Sequence, residues 1–140
     1  MTFTSMAEPR PSGDEPTVSE RILVVDDEPG IRRIIARILL DEGFLVHEAG
    51  DGFEALRLIN AGHVSLDMVV SDIVMPRLNG IELFQELSHS RPGLPIILIS
   101  GFGTEELAQR GIASPCAVLS KPFSSDRLIA EVRRCIAERR

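Results

Sequence analysis

Short, unbroken aliphatic runs, each ended by a polar group, set the strongest limit on what this chain folds into. Ile22-Leu23-Val24-Val25 ends in Asp26-Asp27, and Asp67-Met68-Val69-Val70-Ser71 ends in Asp72. Ile96-Ile97-Leu98-Ile99 ends in Ser100, and a run near Ala117 to Ser120 precedes Lys121. A strand with one face in water alternates apolar and polar residues. Runs that are apolar at every position belong to strands covered on both faces, which is the habit of a parallel sheet between layers of helices.

The segments between the runs supply those helices. Ile31, Ile34, Ile35, Ile38 and Leu39 recur at helical spacing, Pro29 stands where a first turn tolerates it, and Gly43 closes the segment. A strand over Phe44 to Glu48 leads to a second helix near Phe53 to Asn60. Asn79-Gly80 resembles a hairpin turn, but Ile81, Phe84 and Leu87 keep helical spacing, so it opens a third helix. A short helix is expected around Thr104 to Gln109, and a last one from Ser124 that buries Leu128, Val132, Cys135 and Ile136. Strands alternating with helices in this way predict one doubly wound α/β domain over 21–140. Residues 1–20, with Pro9, Pro11, Pro16 and Gly13, are expected to form a disordered tail.

Open α/β sheets bind their ligands beyond the carboxyl ends of the strands. Asp26, Asp27, Asp72, Ser100 and Lys121 all fall there. Singly each is ordinary: an aspartate after a strand is often a helix cap, and a lysine before proline is usually a solvated one. Together on one edge they form a reactive set. Three carboxylates in one place repel each other, and Mg²⁺, which takes hard oxygen ligands, relieves the repulsion. Asp72 is then the nucleophile toward a phosphoryl group, forming an acyl phosphate. The Lys121 ammonium neutralises charge on the phosphoryl oxygens and the Ser100 hydroxyl donates a hydrogen bond.

Composition removes several other functions. With a formal net charge of -6 and neither Trp nor Tyr, the chain lacks the basic surface and the stacking platform that nucleic-acid binding uses. No run approaches the roughly 18 apolar residues of a membrane span, and the first residues lack the pattern of a signal peptide. Cys116 and Cys135 lie on apolar patterns without the spacing of a zinc site. They are expected to be reduced, buried thiols in a cytoplasmic protein. His47, His63 and His89 match no metal-ligand spacing.

These residues carry a resemblance. Ile22-Leu23-Val24-Val25-Asp26-Asp27-Glu28, Asp51-Gly52 with Glu54-Ala55-Leu56, Asp72-Ile73-Val74-Met75-Pro76 with Gly80, Ile99-Ser100-Gly101 and Lys121-Pro122-Phe123 resemble the receiver domains of two-component signalling. The resemblance runs from Arg21 to the C-terminus and implies a flavodoxin-like (βα)5 fold with a parallel sheet in the order 2-1-3-4-5. It assigns Asp72 as phosphoacceptor, Asp27 and Asp72 as metal ligands, Asp26 as a ligand through a bound water, and the backbone carbonyl of Val74 as the last protein ligand. Mg²⁺ is the expected cofactor, with Mn²⁺ able to substitute. Lys121 and Ser100 match the family's phosphoryl-contacting pair, Gly101 matches the small residue that leaves the pocket open, and Lys121-Pro122 matches a cis peptide bond. One position departs from the pattern: Val118 stands where many receivers carry the Tyr or Phe that swings inward on activation. Phe102, in the loop after Ser100, is either the moving apolar group in its place or a static core residue.

The implied phosphodonor is a sensor histidine kinase or a histidine-phosphotransfer protein. The Ala36 and Leu40 strip beside Arg33 either docks such a partner or covers the second strand. Because Val74 and Phe102 are apolar, self-hydrolysis of the acyl phosphate is expected to be slow. The chain is thus expected to be a single-domain response regulator with no output domain. It would signal by protein contact and catalyse only its own phosphorylation and dephosphorylation. The competing reading is a phosphorylation-independent adaptor of the same fold. An aspartyl phosphohydrolase, which typically has a second Asp two positions after its nucleophile, meets Val74 there. A nucleotide-binding domain would need a glycine-rich turn where Asp26-Asp27-Glu28-Pro29 stands.

Overall fold

The computed structural model describes residues 19–62, 64–101 and 115–139. In chain order these form β1 (Arg21–Val25), α1 (Pro29–Asp41), β2 (Leu45–Ala49), α2 (Gly52–Ala61), β3 (Met68–Asp72), α3 (Gly80–Ser90), β4 (Ile96–Ser100), β5 (Ala117–Ser120) and α4 (Ser125–Glu138). The five strands make one sheet in the order β2-β1-β3-β4-β5, and every neighbouring pair is parallel. The short helix expected around Thr104 to Gln109 and the side chain of Phe102 lie outside the described residues.

The unbroken apolar runs are explained by the two cores that the sheet separates. Side chains alternate across a strand, so Leu23, Val25, Val69 and Leu98 enter one core, with Ala55 and Ile59 of α2 and Leu83, Phe84 and Leu87 of α3. Ile22, Val24, Met68, Val70, Ile97 and Ile99 enter the other, with Ile35 and Leu39 of α1 and Leu128 and Val132 of α4. Three helix starts are fixed by side-chain caps: Asp51 accepts from the Glu54 amide, Asn79 forms a reciprocal pair with Glu82, and Ser124 accepts from the Arg127 amide. Gly43 closes α1 with φ +96°, a left-handed conformation that glycine adopts without cost.

Two expectations are corrected here. The isoleucine stripe of α1 is wider than the surface it packs on. Ile35, Ala36 and Leu39 are buried, whereas Ile34 is 62% exposed and Ile31 is 38% exposed. Ala36, expected on the outer strip with Leu40, is only 1% exposed, because α1 turns its 35/36/39 side to the core. The cysteines are not free thiols. Cys116, just before β5, is bonded to Cys135 on the inner side of α4, at a Cα–Cα distance of 6.0 Å that disulfides ordinarily span. The 19-residue separation concealed the pairing, which arises only because α4 folds back along β5. No helix among the described residues is long and apolar enough to cross a membrane.

Candidate functional site

The parallel register brings the strand ends, and therefore the polar groups that end them, to one edge of the sheet. Asp26 and Asp27 follow β1, Asp72 ends β3, Ser100 ends β4 beside Ser120, and Lys121 follows β5. Asp26, Asp72 and Ser100 are buried, and Asp27 is exposed. One carboxylate oxygen from each of Asp26, Asp27 and Asp72 lies within 4.8 Å of the others. The Lys121 Nζ stands 3.1 Å from Asp72 Oδ1. All the expected side-chain members are thus brought to this edge, with Val74 exposed in the loop after β3.

Burial and charge leave this cluster under-neutralised. Burial is the largest cause that raises the Asp72 pKa above the usual carboxylate value. The Lys121 contact opposes the rise and the neighbouring Asp27 charge adds to it. Burial also raises Asp26, against a hydrogen bond from the Glu28 amide and with the Asp72 charge. That amide lies 2.9 Å from Asp26 Oδ1, while Asp26 Oδ2 is buried with no hydrogen-bond partner. A buried carboxylate oxygen without a partner is costly unless a cation or water completes it. The donor set is all oxygen and all carboxylate, which suits a hard divalent cation such as Mg²⁺ rather than zinc.

The neighbouring loops hold the edge in shape. Lys121 donates its amide to the Ser100 carbonyl at 2.8 Å, and the Lys121-Pro122 peptide is cis, as the resemblance implied. The Ile73 amide donates to the Ile99 carbonyl, and the Gly80 amide donates to the Ile73 carbonyl at 2.9 Å. A Cβ at Gly80 would meet the Asp72 carbonyl oxygen, and one at Gly52 would meet the Leu78 carbonyl oxygen, so both glycines permit close backbone approach. Asp51 accepts from Arg77, whose guanidinium lies over the Phe53 ring, and the Asp51 pKa is lowered by the Glu54 amide first and by Arg77 next. Val118 packs partly buried against the core on the α2/α3 side.

Sequence reasoning missed the supports. Arg32 and Glu48 join α1 and β2 to the main chain of Asp26, and Arg77 ties the loop after β3 to α2. The only available signal was an arginine on the first turn of the helix that follows an acidic pair. Such a position is also common for a solvated arginine.

Comparison with known proteins agrees with this geometry. Residues 22–133 match the family described as response regulator receiver domain. Sensor kinase CckA of Brucella abortus is 35% identical over 119 residues, which cover 84% of this chain and 13% of that protein. Transcriptional regulatory protein PdtaR of Mycobacterium tuberculosis is 36% identical over 122 residues, covering 86% of this chain and 58% of that protein. The chain therefore spans 13% and 58% of these two relatives, less than two thirds of either. Among solved structures, a response regulator receiver protein from Sinorhizobium medicae superposes with a TM-score of 0.78 at 31% identity, covering 87% of this chain and 98% of that one. The response regulator TrrA of Thermotoga maritima, in complex with Mg(2+)-BeF, gives a TM-score of 0.72 at 32% identity, covering 83% and 98%. With its sheet order, its acidic edge and the family match over most of its length, the chain belongs to the response-regulator receiver domain family.

Proposed function

We propose that this domain accepts a phosphoryl group from a phosphohistidine onto Asp72, in a reaction that requires Mg²⁺, and that it signals by protein–protein contact. The observation that carries the reading is the convergence of the Asp26, Asp27 and Asp72 carboxylate oxygens within 4.8 Å, with Lys121 3.1 Å from Asp72. Mg²⁺, held by Asp27, Asp72 and the Val74 carbonyl, with Asp26 through a bound water, would neutralise the phosphoryl oxygens, and Mn²⁺ would substitute.

The chain's own residues do the rest. An Asp72 carboxylate oxygen attacks phosphorus as the bond to the donor imidazole nitrogen breaks, and that nitrogen keeps the electron pair. Lys121 moves its ammonium from the carboxylate to an equatorial phosphoryl oxygen, and Ser100 donates its hydroxyl to another. The work is alignment and charge neutralisation, so burial of Asp72 matters as much as its nucleophilicity. Catalysis is confined to the domain's own phosphorylation and dephosphorylation.

The donor is a sensor histidine kinase or a histidine-phosphotransfer protein, working in the cytoplasm where ATP is available. Its docking surface is the exposed Ile31 and Ile34 side of α1, which begins two residues after the acidic pair. The net charge of -6 favours a protein target over nucleic acid. Intact-protein mass spectrometry after incubation with acetyl phosphate, with and without Mg²⁺ and beside Asp72→Asn, tests the reading. A single phosphoryl adduct that needs both the metal and Asp72 is expected. No adduct on the folded wild type, from acetyl phosphate or from a kinase, would favour the phosphorylation-independent adaptor, the reading that Val118 supports.

A further inference from the structure

Beyond the cluster, one arginine is built into the support of its most buried carboxylate. Arg32 stands on the first turn of α1, its side chain only 18% exposed. Its Nε donates to Glu48 Oε1 of β2 at 2.9 Å, and its Nη1 donates to the main-chain carbonyl of Asp26 at 2.8 Å. That carbonyl lies just past the end of β1. The Asp26 amide is held from the other side by the Ala49 carbonyl at 3.1 Å, and Asp26 Oδ1 by the Glu28 amide. Three contacts, from α1, from β2 and from the turn itself, thus fix Asp26 and leave Oδ2 as its one unpartnered oxygen. Arg33 also reaches Glu48, at 3.2 Å, but its side chain is 74% exposed.

We propose that Arg32 is a positioning residue for divalent-cation binding: its fork between Glu48 and the Asp26 carbonyl sets the turn that presents Asp26 and Asp27. The inference rests on the Mg²⁺ reading given above. A guanidinium fork suits the task because one planar group bonds two acceptors in fixed relation, which an ammonium does not reproduce. The opposing explanation is purely electrostatic, and it predicts the opposite sign. A positive charge near three carboxylates competes with a cation, so its removal would tighten Mg²⁺ binding. Loss of a positioning contact weakens it, and supports of this kind are ordinarily worth about 10–100-fold in metal affinity.

Mg²⁺ titration followed by calorimetry and by backbone amide NMR shifts, without any phosphodonor, separates the two. Arg32→Met is expected to weaken Mg²⁺ binding about tenfold, while Arg33→Met stays close to wild type. Arg32→Lys keeps the charge and the stem, so it serves if Arg32→Met does not fold. It is expected to lose several-fold in affinity on the positioning account. Unchanged or tighter binding in Arg32→Met, or wild-type binding in a folded Arg32→Lys, overturns the inference alone. A folded wild type that binds no Mg²⁺ overturns the proposed function itself, and the inference with it.

Discussion

Gly80 is where the backbone of the site is most closely approached, and replacing it tests whether that approach is as tight as the geometry requires. A Cβ there would lie 2.2 Å from the Asp72 carbonyl oxygen, 2.8 Å from the Ile73 Cα and 3.0 Å from the Asp72 carbonyl carbon. All three are main-chain atoms, so no rotamer change relieves the overlap. The first contact is about 1 Å too short for an ordinary van der Waals approach. Forcing the backbone apart in a filled core costs roughly 1–3 kcal/mol. Alanine recovers up to about 1 kcal/mol through helix propensity, less in a first turn. Gly80→Ala is therefore expected to destabilise the fold by about 2 kcal/mol and to impair phosphorylation, because the displaced peptide belongs to Asp72. Gly30, in the first turn of α1, has nothing within 4 Å of its would-be Cβ, so Gly30→Ala should be neutral or stabilising by about 0.5 kcal/mol. Urea unfolding of both variants and the wild type, read at constant slope, measures the difference. Gly80→Ala as stable as wild type would refute the reasoning, since the loop after β3 would then be free to move away from α3.

Three further outcomes follow from the same structure. Reduction of Cys116–Cys135 opens a cross-link between residues 19 apart and is expected to lower unfolding free energy by about 3 kcal/mol. Urea curves with and without a phosphine reductant measure it, and coincident curves would contradict the bond's stabilising role. Burial raises the pKa values of Asp72 and Asp26, so their contribution to stability is full below the ordinary carboxylate pKa and is lost as pH rises through the raised values. In chelator at neutral pH, Asp72→Asn should therefore unfold at higher urea than wild type, with the gap closing as pH falls toward about 4. A less stable Asp72→Asn, or a gap that widens in acid, would show the reverse linkage. Ile34→Asp is expected to slow transfer from a histidine phosphodonor about tenfold, as loss of a central apolar contact does, and to leave acetyl phosphate labelling unchanged. Equal loss in both assays would remove α1 as the docking surface.

How far the sequence was legible depends on how local each cause is. The strands were readable because double-sided burial writes itself as unbroken apolar runs, and the two cores divide Ile22 and Val24 from Leu23 and Val25 by strand alternation alone. The acidic edge was readable because a parallel sheet brings every strand's carboxyl end to one side, so polar residues that end the runs must meet. What failed depended on packing angles that no local pattern records. Five apolar residues at helical spacing mark an amphipathic α1, yet they do not tell which part of a wide stripe meets the sheet, and Ala36 proved inner while Ile34 proved outer. The Cys116–Cys135 bond and the Arg32–Glu48 fork likewise join residues 19 and 16 positions apart through the way helices lie on strands.

The distinction between local and packed causes bears on how such a domain would switch without an aromatic at Val118. A ring that swings needs a vacancy to enter, whereas Val118 packs partly buried against the α2/α3-side core, and its β-branched side chain is restricted at χ1. The element free to respond to a phosphoryl group is then the backbone that Ser100 and Lys121 share, joined by the Lys121 amide to the Ser100 carbonyl at 2.8 Å. A phosphoryl group that draws the Ser100 hydroxyl and the Lys121 ammonium toward Asp72 pulls on both ends of that bond at once. On the proposed function, phosphorylation would move the β4 and β5 ends together, with the side chain of Val118 left in place.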